Sequence, residues 1–443
     1  MLSKSKTFDI IVLGAGIAGI SAAVHCIGRG LRPLVIESTS NVGGRARSFI
    51  DRVSGDMIDN GQHVMMGCYE SFFEVLRLLG TFEKVKKQEF LSIPFHFPDG
   101  RRDLLHAKGI GNVHGPLGMA LGFLRLSILS RKEKASLLIF AMRVKWNLCK
   151  PGLMTAMEFL LSESQSQRII DLVWSPVILA TMNGKPEEVS AKIFINVLRL
   201  AFFGKGDSSS LYIPQCGLSE LFEPFGAYLE KHDGMLIQSN GVEKLVIEND
   251  EIQGVYAQDG MYVESKHVIS GIPPHALLKI LPDAHKTTSF FSSFDSIRYS
   301  PIISLYLWFD KSFPEIDIAA IMESSTQWIF RKSTVMQHGK SMLALTISAG
   351  DEIVSMSTEE IALTCSNEIR QCFPEMVDAQ LLHWKVIKER MATVLIDPDT
   401  EESRPDSKTP IKGLLLAGDW TNTGLPATLE GAALSGKVAA SLV

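Results

Sequence analysis

The sequence is short of cysteine. Its six cysteines, Cys26, Cys68, Cys149, Cys216, Cys365 and Cys372, are scattered over 443 residues and form no CxxC pair. That spacing argues against a disulfide framework or a zinc site and predicts a reducing compartment such as the cytoplasm. Long hydrophobic runs are also missing. No stretch reaches the ~18 apolar residues expected of a membrane-crossing helix. Excess positive charge is absent, because 44 basic and 49 acidic residues leave a net −5. A general nucleic-acid binder is usually basic, so that class is disfavoured and no nucleic-acid partner is expected. Repeats and low-complexity tracts are absent too. With 46% hydrophobic and 21% charged residues, a disordered or collagen-like chain is excluded.

What is present begins with Ile10-Ile11-Val12-Leu13, an apolar run that leads straight into glycines. It reads as a strand and not as a signal-peptide core. Gly14-x-Gly16-x-x-Gly19 follows, opening a helix through Ile17 and Ala18. The first glycine permits a tight turn, the second a close approach to a pyrophosphate, and the third close helix–strand packing. The helix N-terminus offers free N–H groups to the phosphates. A second strand, Pro33-Leu34-Val35-Ile36, ends at Glu37, 18 residues after Gly19. An acid there suits a ribose 2′-hydroxyl, so a dinucleotide site is predicted, with NAD and FAD both open. Gly431 to Lys437 imitates the start of a phosphate-binding loop, but Val438 stands where a Ser or Thr would hold magnesium. That motif is rejected, and no metal site is expected.

Short strands are predicted at 235–237, 244–247, 254–257 and 267–270, then at 297–309, 341–348 and 414–417. Helices are predicted over 155–203, 358–372 and 428–442, and a loop over 397–410, which holds three prolines. Residues 117–150 read as one or two helices, apolar with a basic face. They carry a local charge of +6, leaving −11 for the remainder.

Further pieces occur in order along the chain. Gly43-Gly44-Arg45 and Asp59-Asn60-Gly61-Gln62-His63 come early, and Gly418-Asp419-Trp420 and Leu429-Glu430-Gly431-Ala432 come late. Together with the glycine loop they resemble the flavin amine oxidase and phytoene desaturase superfamily. The resemblance implies FAD as cofactor and an α/β fold: a Rossmann-type FAD-binding domain with an interleaved α+β substrate domain. It implies that Gly44 and Arg45 meet the pyrophosphate, that Asp419 beside Gly418 holds the ribityl chain, and that the Leu429 backbone meets the flavin. Glu37 with Ser38 and the Val242 backbone would hold the adenosine end, and Gly61 and Gln62 would lie by the cofactor. The helix starting near Thr428 would aim its positive end at the flavin edge that becomes negative on reduction. The FAD domain is expected at 1–90, 211–285 and 395–443, and the substrate domain at 91–210 and 286–394.

The 59–69 segment, His114-Gly115-Pro116-Leu117, Trp174-Ser175-Pro176, Ala180 to Asn183 and the tail from Gly418 to Ala432 resemble the bacterial hydroxysqualene dehydroxylase family. That family serves squalene synthesis upstream of hopanoids and implies reductive removal of a hydroxyl from hydroxysqualene. Such chemistry needs an acid, because hydroxide leaves poorly. His63 and Asp59 are the candidates, and fixing the 59–63 turn by hydrogen bonds is the other role open to each. Trp174 is expected in the core and Trp420 beside the flavin. An isoprenoid or carotenoid desaturase of the same fold is the alternative. An amine oxidase would need aromatic residues flanking an amine, which the sequence does not locate. A non-catalytic flavoprotein would bind FAD without turnover. The basic, apolar stretch 117–150 also suits a peripheral contact with the inner face of a membrane.

Overall fold

The computed structural model describes residues 8–108, 115–204, 206–331 and 341–443, so His114 lies outside the described residues. Ile10–Leu13 (β1) and Pro33–Ile36 (β2) form buried strands. Met235–Ile237 (β3), Val268–Ser270 (β4) and Leu414–Leu416 (β5) complete a sheet in the order β3-β2-β1-β4-β5. Every pairing is parallel. Unbroken apolar runs in β1, β2 and β5 are what a sheet covered on both faces requires. The strand order reverses beside β1, and ligands of such sheets bind at that switch point, outside the carboxyl ends of the strands.

Helix Ile17–Gly28 (α1) follows β1, and the last helix, Leu429–Ser441 (α2), lies along it. Their contact depends on small residues. A Cβ on Gly436 would stand 2.2 Å from the Ala18 carbonyl oxygen. Ser21 Oγ donates to the Ala433 carbonyl at 2.6 Å. The 431–437 segment therefore serves helix packing, as its rejection as a phosphate loop requires. An antiparallel meander, Val242–Glu248, Glu251–Ala257 and Tyr262–Glu264, connects β3 to β4.

The second large sheet is mixed. Its order is Leu381–Val394, Tyr299–Phe309, Ser341–Ser348, Trp328–Arg331, Ile318–Ile321, Ser92–His96, Arg102–His106. Only the Ile318–Ile321 and Ser92–His96 pair is parallel. Alternation along Tyr299–Phe309 splits its side chains between two cores. Ile303, Leu305, Leu307 and Phe309 pack against helix Thr358–Cys372, while Tyr306 and Trp308 join Ile58 on the other face. The helices of 116–203 form the remaining layer, with Trp174 buried among Phe123, Phe140 and Phe194. Its indole N–H donates to Gln165 Oε1 at 3.1 Å.

The strands of the parallel sheet fall within 1–90, 211–285 and 395–443. Those of the seven-stranded sheet fall within 91–210 and 286–394. One segment departs from expectation. The 397–410 run contains a short helix, Pro398–Ser403. Asp397 caps it by accepting from the Thr400 N–H at 2.7 Å, Pro398 suits the first helical turn, and Pro405 lies just beyond its end.

Glu430 ties α2 to helix Glu70–Leu79. Its buried carboxylate accepts the Ser71 and Phe72 N–H groups at 3.0 and 2.8 Å. Glu430→Ala strands two buried donors and is expected to cost roughly 2–4 kcal/mol, read as a lower urea midpoint. Burial also raises the Glu430 carboxyl above its ordinary value. With the folded value above the unfolded one, ionisation costs the fold. Stability from this group is greatest in acid and declines as pH climbs from the usual carboxylate value through the raised one. Glu430→Gln should remove that slope from the midpoint measured against pH.

Candidate functional site

The site grows from the carboxyl end of β1. Gly14 has φ +85°, and a Cβ there would meet Ile272 at 2.9 Å. A Cβ on Gly19 would stand 1.9 Å from the Gly14 carbonyl oxygen, so helix and turn touch through the missing side chain. Gly16 is different. A Cβ there would find nothing nearer than the Gly44 Cα at 4.0 Å. Gly16 caps α1 without a side-chain hydrogen bond, and the first turn, including Ile17 and Ala18, carries no acid. The initial N–H groups of a helix have no intrahelical acceptors. The result is a positive helix end without an acidic cap, suited to an anion.

Gly43-Gly44 closes over this loop. The Gly43 N–H donates to the Ala15 carbonyl at 2.8 Å, and Gly44 has φ +61°. On the far side stands Glu37, at the end of β2. Its Oε2 accepts the Ala15 N–H at 2.7 Å, and its Oε1 accepts both the N–H and the hydroxyl of Thr39 at 2.8 Å. Asn240 N–H donates to the Glu37 carbonyl at 3.1 Å, and Gly241 abuts Ser38. The structure thus brings Glu37, Ser38 and the start of the Val242 strand together.

The other pole holds Arg45 and Asp419. The Arg45 guanidinium donates to both Asp419 carboxylate oxygens, at 2.8 and 2.7 Å, and to the Ala392 carbonyl at 2.6 Å. Asp419 raises the Arg45 guanidinium further above its already high value. Tyr299 belongs to the same neighbourhood, where burial, then Asp419, pushes its phenol up to about 12. Its buried hydroxyl has no hydrogen-bond partner among the described residues. His275 stands 6.2 Å from the Tyr299 ring, and burial, then Lys279 and Arg45, lower its imidazole. Gly418 N–H donates to Ser435 Oγ at 2.7 Å, which fixes this loop to α2. The N-terminus of α2 begins at Leu429, capped by Thr428 through the Gly431 N–H.

Strand pairing of Ser48–Ile50 with Met57–Asp59 brings the 59–63 turn beside the Arg45 segment, and Asn60 N–H donates to the Arg47 carbonyl at 2.8 Å. Tyr306 clamps the turn. Its hydroxyl donates to the Asp59 carbonyl at 2.9 Å and accepts from Asp59 N–H at 2.8 Å and from the Gln62 amide. Burial raises its phenol strongly. Gly61 lies against Ser304, where a Cβ would sit 3.5 Å from the hydroxyl. The Asp59 Oδ1 accepts Ser48 Oγ at 2.7 Å and Leu218 N–H at 3.0 Å. These two bonds tie the Asp59 side chain to the neighbouring strand and to the 217–218 turn. His63, at the end of the turn, is half-buried.

Sequence reasoning passed over Tyr299, Tyr306 and Arg404. Arg404 is buried under the 419–425 loop and donates to four of its carbonyls. Asp419 O and Leu425 O lie at 3.0 and 2.8 Å, Trp420 O at 3.4 Å, and Thr421 O completes the set. Burial lowers this guanidinium to about 10. Trp420 packs edge-on to Phe294, ring centroids 5.0 Å apart.

The family model described as flavin containing amine oxidoreductase matches residues 17–443. The chain is 27% identical over 453 residues to the hydroxysqualene dehydroxylase of Sinorhizobium fredii, covering 98% of each. It is 24% identical over 466 residues to the 15-cis-phytoene desaturase of Synechococcus elongatus, covering 98% of this chain and 95% of that one. Among solved structures, an oxidoreductase from Methanosarcina mazei superposes with TM-score 0.75 at 17% identity, over 97% of this chain and 99% of that one. Cyclohexylamine oxidase from Brevibacterium oxydans gives 0.68 at 17%, over 98% of both. These two structures speak for the fold.

Proposed function

Because the chain belongs to the flavin-containing amine oxidoreductase family, we propose that it removes the hydroxyl group of hydroxysqualene to give squalene, a step of squalene and hopanoid synthesis. It is an oxidoreductase whose cofactor is FAD, the flavin of this family. The residues present fit that cofactor. The bare α1 N-terminus with Gly14, Gly16, Ile17, Ala18, Gly19, Gly44 and Arg45 would take the pyrophosphate. Glu37, Ser38 and Val242 would take the adenosine, and Asp419 and Leu429 the ribityl and ring end, with Gly61 and Gln62 alongside. The division into an FAD domain and a substrate domain, with the boundaries given above, belongs to the same reading.

When bound in its reduced form, FAD supplies the hydride that replaces the hydroxyl. The chain supplies the rest. The alcohol oxygen needs a proton so that it leaves as water, and we assign that proton to His63, imidazole being the side chain most often used as a positioned general acid. Tyr306 and Asp59 hold the turn that presents it. The observation that carries the reading is this turn. Its Asp59-to-His63 sequence is the dehydroxylase-like segment, and the fold dedicates a buried tyrosine to holding it. The end-to-end match to the Sinorhizobium dehydroxylase supports it. The end-to-end match to phytoene desaturase favours a second reading, isoprenoid desaturation, which runs hydride transfer in the opposite direction.

An anaerobic single turnover separates them. Chemically reduced, FAD-loaded protein is mixed with hydroxysqualene, flavin absorbance is followed, and the extract is analysed. Flavin reoxidation with squalene formed is the expected result. Flavin that stays reduced in folded, loaded protein sinks the proposal, and reaction of the oxidised flavin with a polyene precursor would establish the desaturase.

A further inference from the structure

Helix Arg131–Lys145 carries two apolar stripes, and only one is covered. Leu137, Phe140 and Val144 recur at i, i+3 and i+7 and are buried in the helical layer. On the opposite side, Ile139, Met142 and Trp146 recur with the same spacing, and they are 55%, 43% and 62% exposed. The chain that follows adds Leu148 and Leu153, 55% and 61% exposed. Single exposed apolar residues are ordinary on a protein surface, but a continuous row backed by a second cluster is not.

Charge accompanies the stripe. Arg131, Lys132, Lys145 and Lys150 are exposed and have no ion pair among the described residues. The neighbouring cations, Arg143 and Arg168, are by contrast neutralised by Glu163 and Glu133. The unpaired positive charge thus flanks the exposed apolar row, on a molecule that is otherwise net negative. A helix with apolar residues on its outer face, an exposed tryptophan at its end and basic residues beside them matches the chemistry of an anionic lipid interface. No helix of the described residues is long and apolar enough to cross a bilayer.

We propose that the outer face of Arg131–Lys145, continued by Trp146, Leu148 and Leu153, seats the protein on an anionic bilayer surface. The apolar row enters the headgroup boundary and the four free cations face the lipid phosphates. The proposal does not depend on which isoprenoid reaction the enzyme performs.

The test is flotation of the FAD-loaded protein with vesicles. One set is phosphatidylglycerol and phosphatidylcholine in equal parts, the other phosphatidylcholine alone. The protein should float with the anionic set at low salt, and less as salt rises. The triple variant R131Q/K132Q/K145Q should bind on the order of 100-fold more weakly, from the loss of about three lipid-facing charges. I139E/M142E/W146E should fail to float while its circular dichroism and bound flavin match the parent. Failure of the parent to float with anionic vesicles at low salt overturns the proposal. So does unchanged flotation of the glutamate variant. A lipid-free dimer that this variant converts to monomer would assign the face to a second copy of the chain and overturn it too.

Discussion

Arg404→Leu is expected to strip the protein of FAD and lower its urea midpoint. The residue lies buried in a segment with no motif, yet its guanidinium reaches four carbonyls of the loop that carries Asp419. Leucine fills part of the space and donates nothing, leaving buried carbonyls without their charge-assisted donor. Each buried carbonyl left without its donor costs about 1–3 kcal/mol. The loop would then lose the shape that points the Asp419 side chain at Arg45. Each 1.4 kcal/mol lost from cofactor binding is about tenfold in affinity, so dialysed Arg404→Leu should retain little flavin. Arg404→Lys keeps the charge on a single point with three donors in place of a planar fork. It should recover part of the stability and less of the flavin binding. An Arg404→Leu protein that holds FAD and unfolds at the parental urea concentration would refute this account.

His63→Ala is expected to lower turnover by about 10²–10⁴-fold, the usual contribution of a positioned proton donor, while leaving FAD bound. Cofactor retention matters to the reading, because a merely structural histidine would be expected to disturb flavin content or stability along with rate. Asp59→Asn provides the contrast. It keeps an acceptor for Ser48 or Leu218 but weakens the turn, so its stability should fall while the rate per folded, flavin-loaded molecule stays near the parent's. Turnover of His63→Ala within a few-fold of the parent removes the assignment.

What could be read from the sequence was local. The glycine turn, Glu37 and the end of β2 are contiguous patterns whose geometry follows from residue type, and they occur where the spacing predicts. Arg404 and Tyr306 escaped because their roles exist only across distance. Arg404 sits in a polar, proline-bearing stretch that reads as loop, and its partners begin 15 residues further on. Tyr306 hides in an apolar strand, and its partners lie 244 and 247 residues away. The strand Leu381–Val394 escaped for another reason. It is an edge strand bearing Lys385, Lys388, Glu389 and Arg390, and charge there blunts edge-to-edge pairing while obscuring the alternation that marks a strand. The 59–63 turn is legible as a motif, but the partners of the Asp59 oxygen, Ser48 and Leu218, lie 11 and 159 residues away.

The parallel sheet draws β1 from residues 10–13 and β5 from residues 414–416, and α1 is covered by a helix that ends at Ser441. A ribosome adding about 5–20 residues per second would take roughly 20–80 s to pass from the first of these strands to the last. From the time each is made, the small-residue groove of α1 waits for its covering helix and, once residues 268–270 are added, the open side of β4 waits for β5. An interrupted message would yield a polypeptide with its glycine loop made and its cofactor cradle unfinished. Quality-control proteases and chaperones would meet that species, so cellular yield should be sensitive to pauses late in translation.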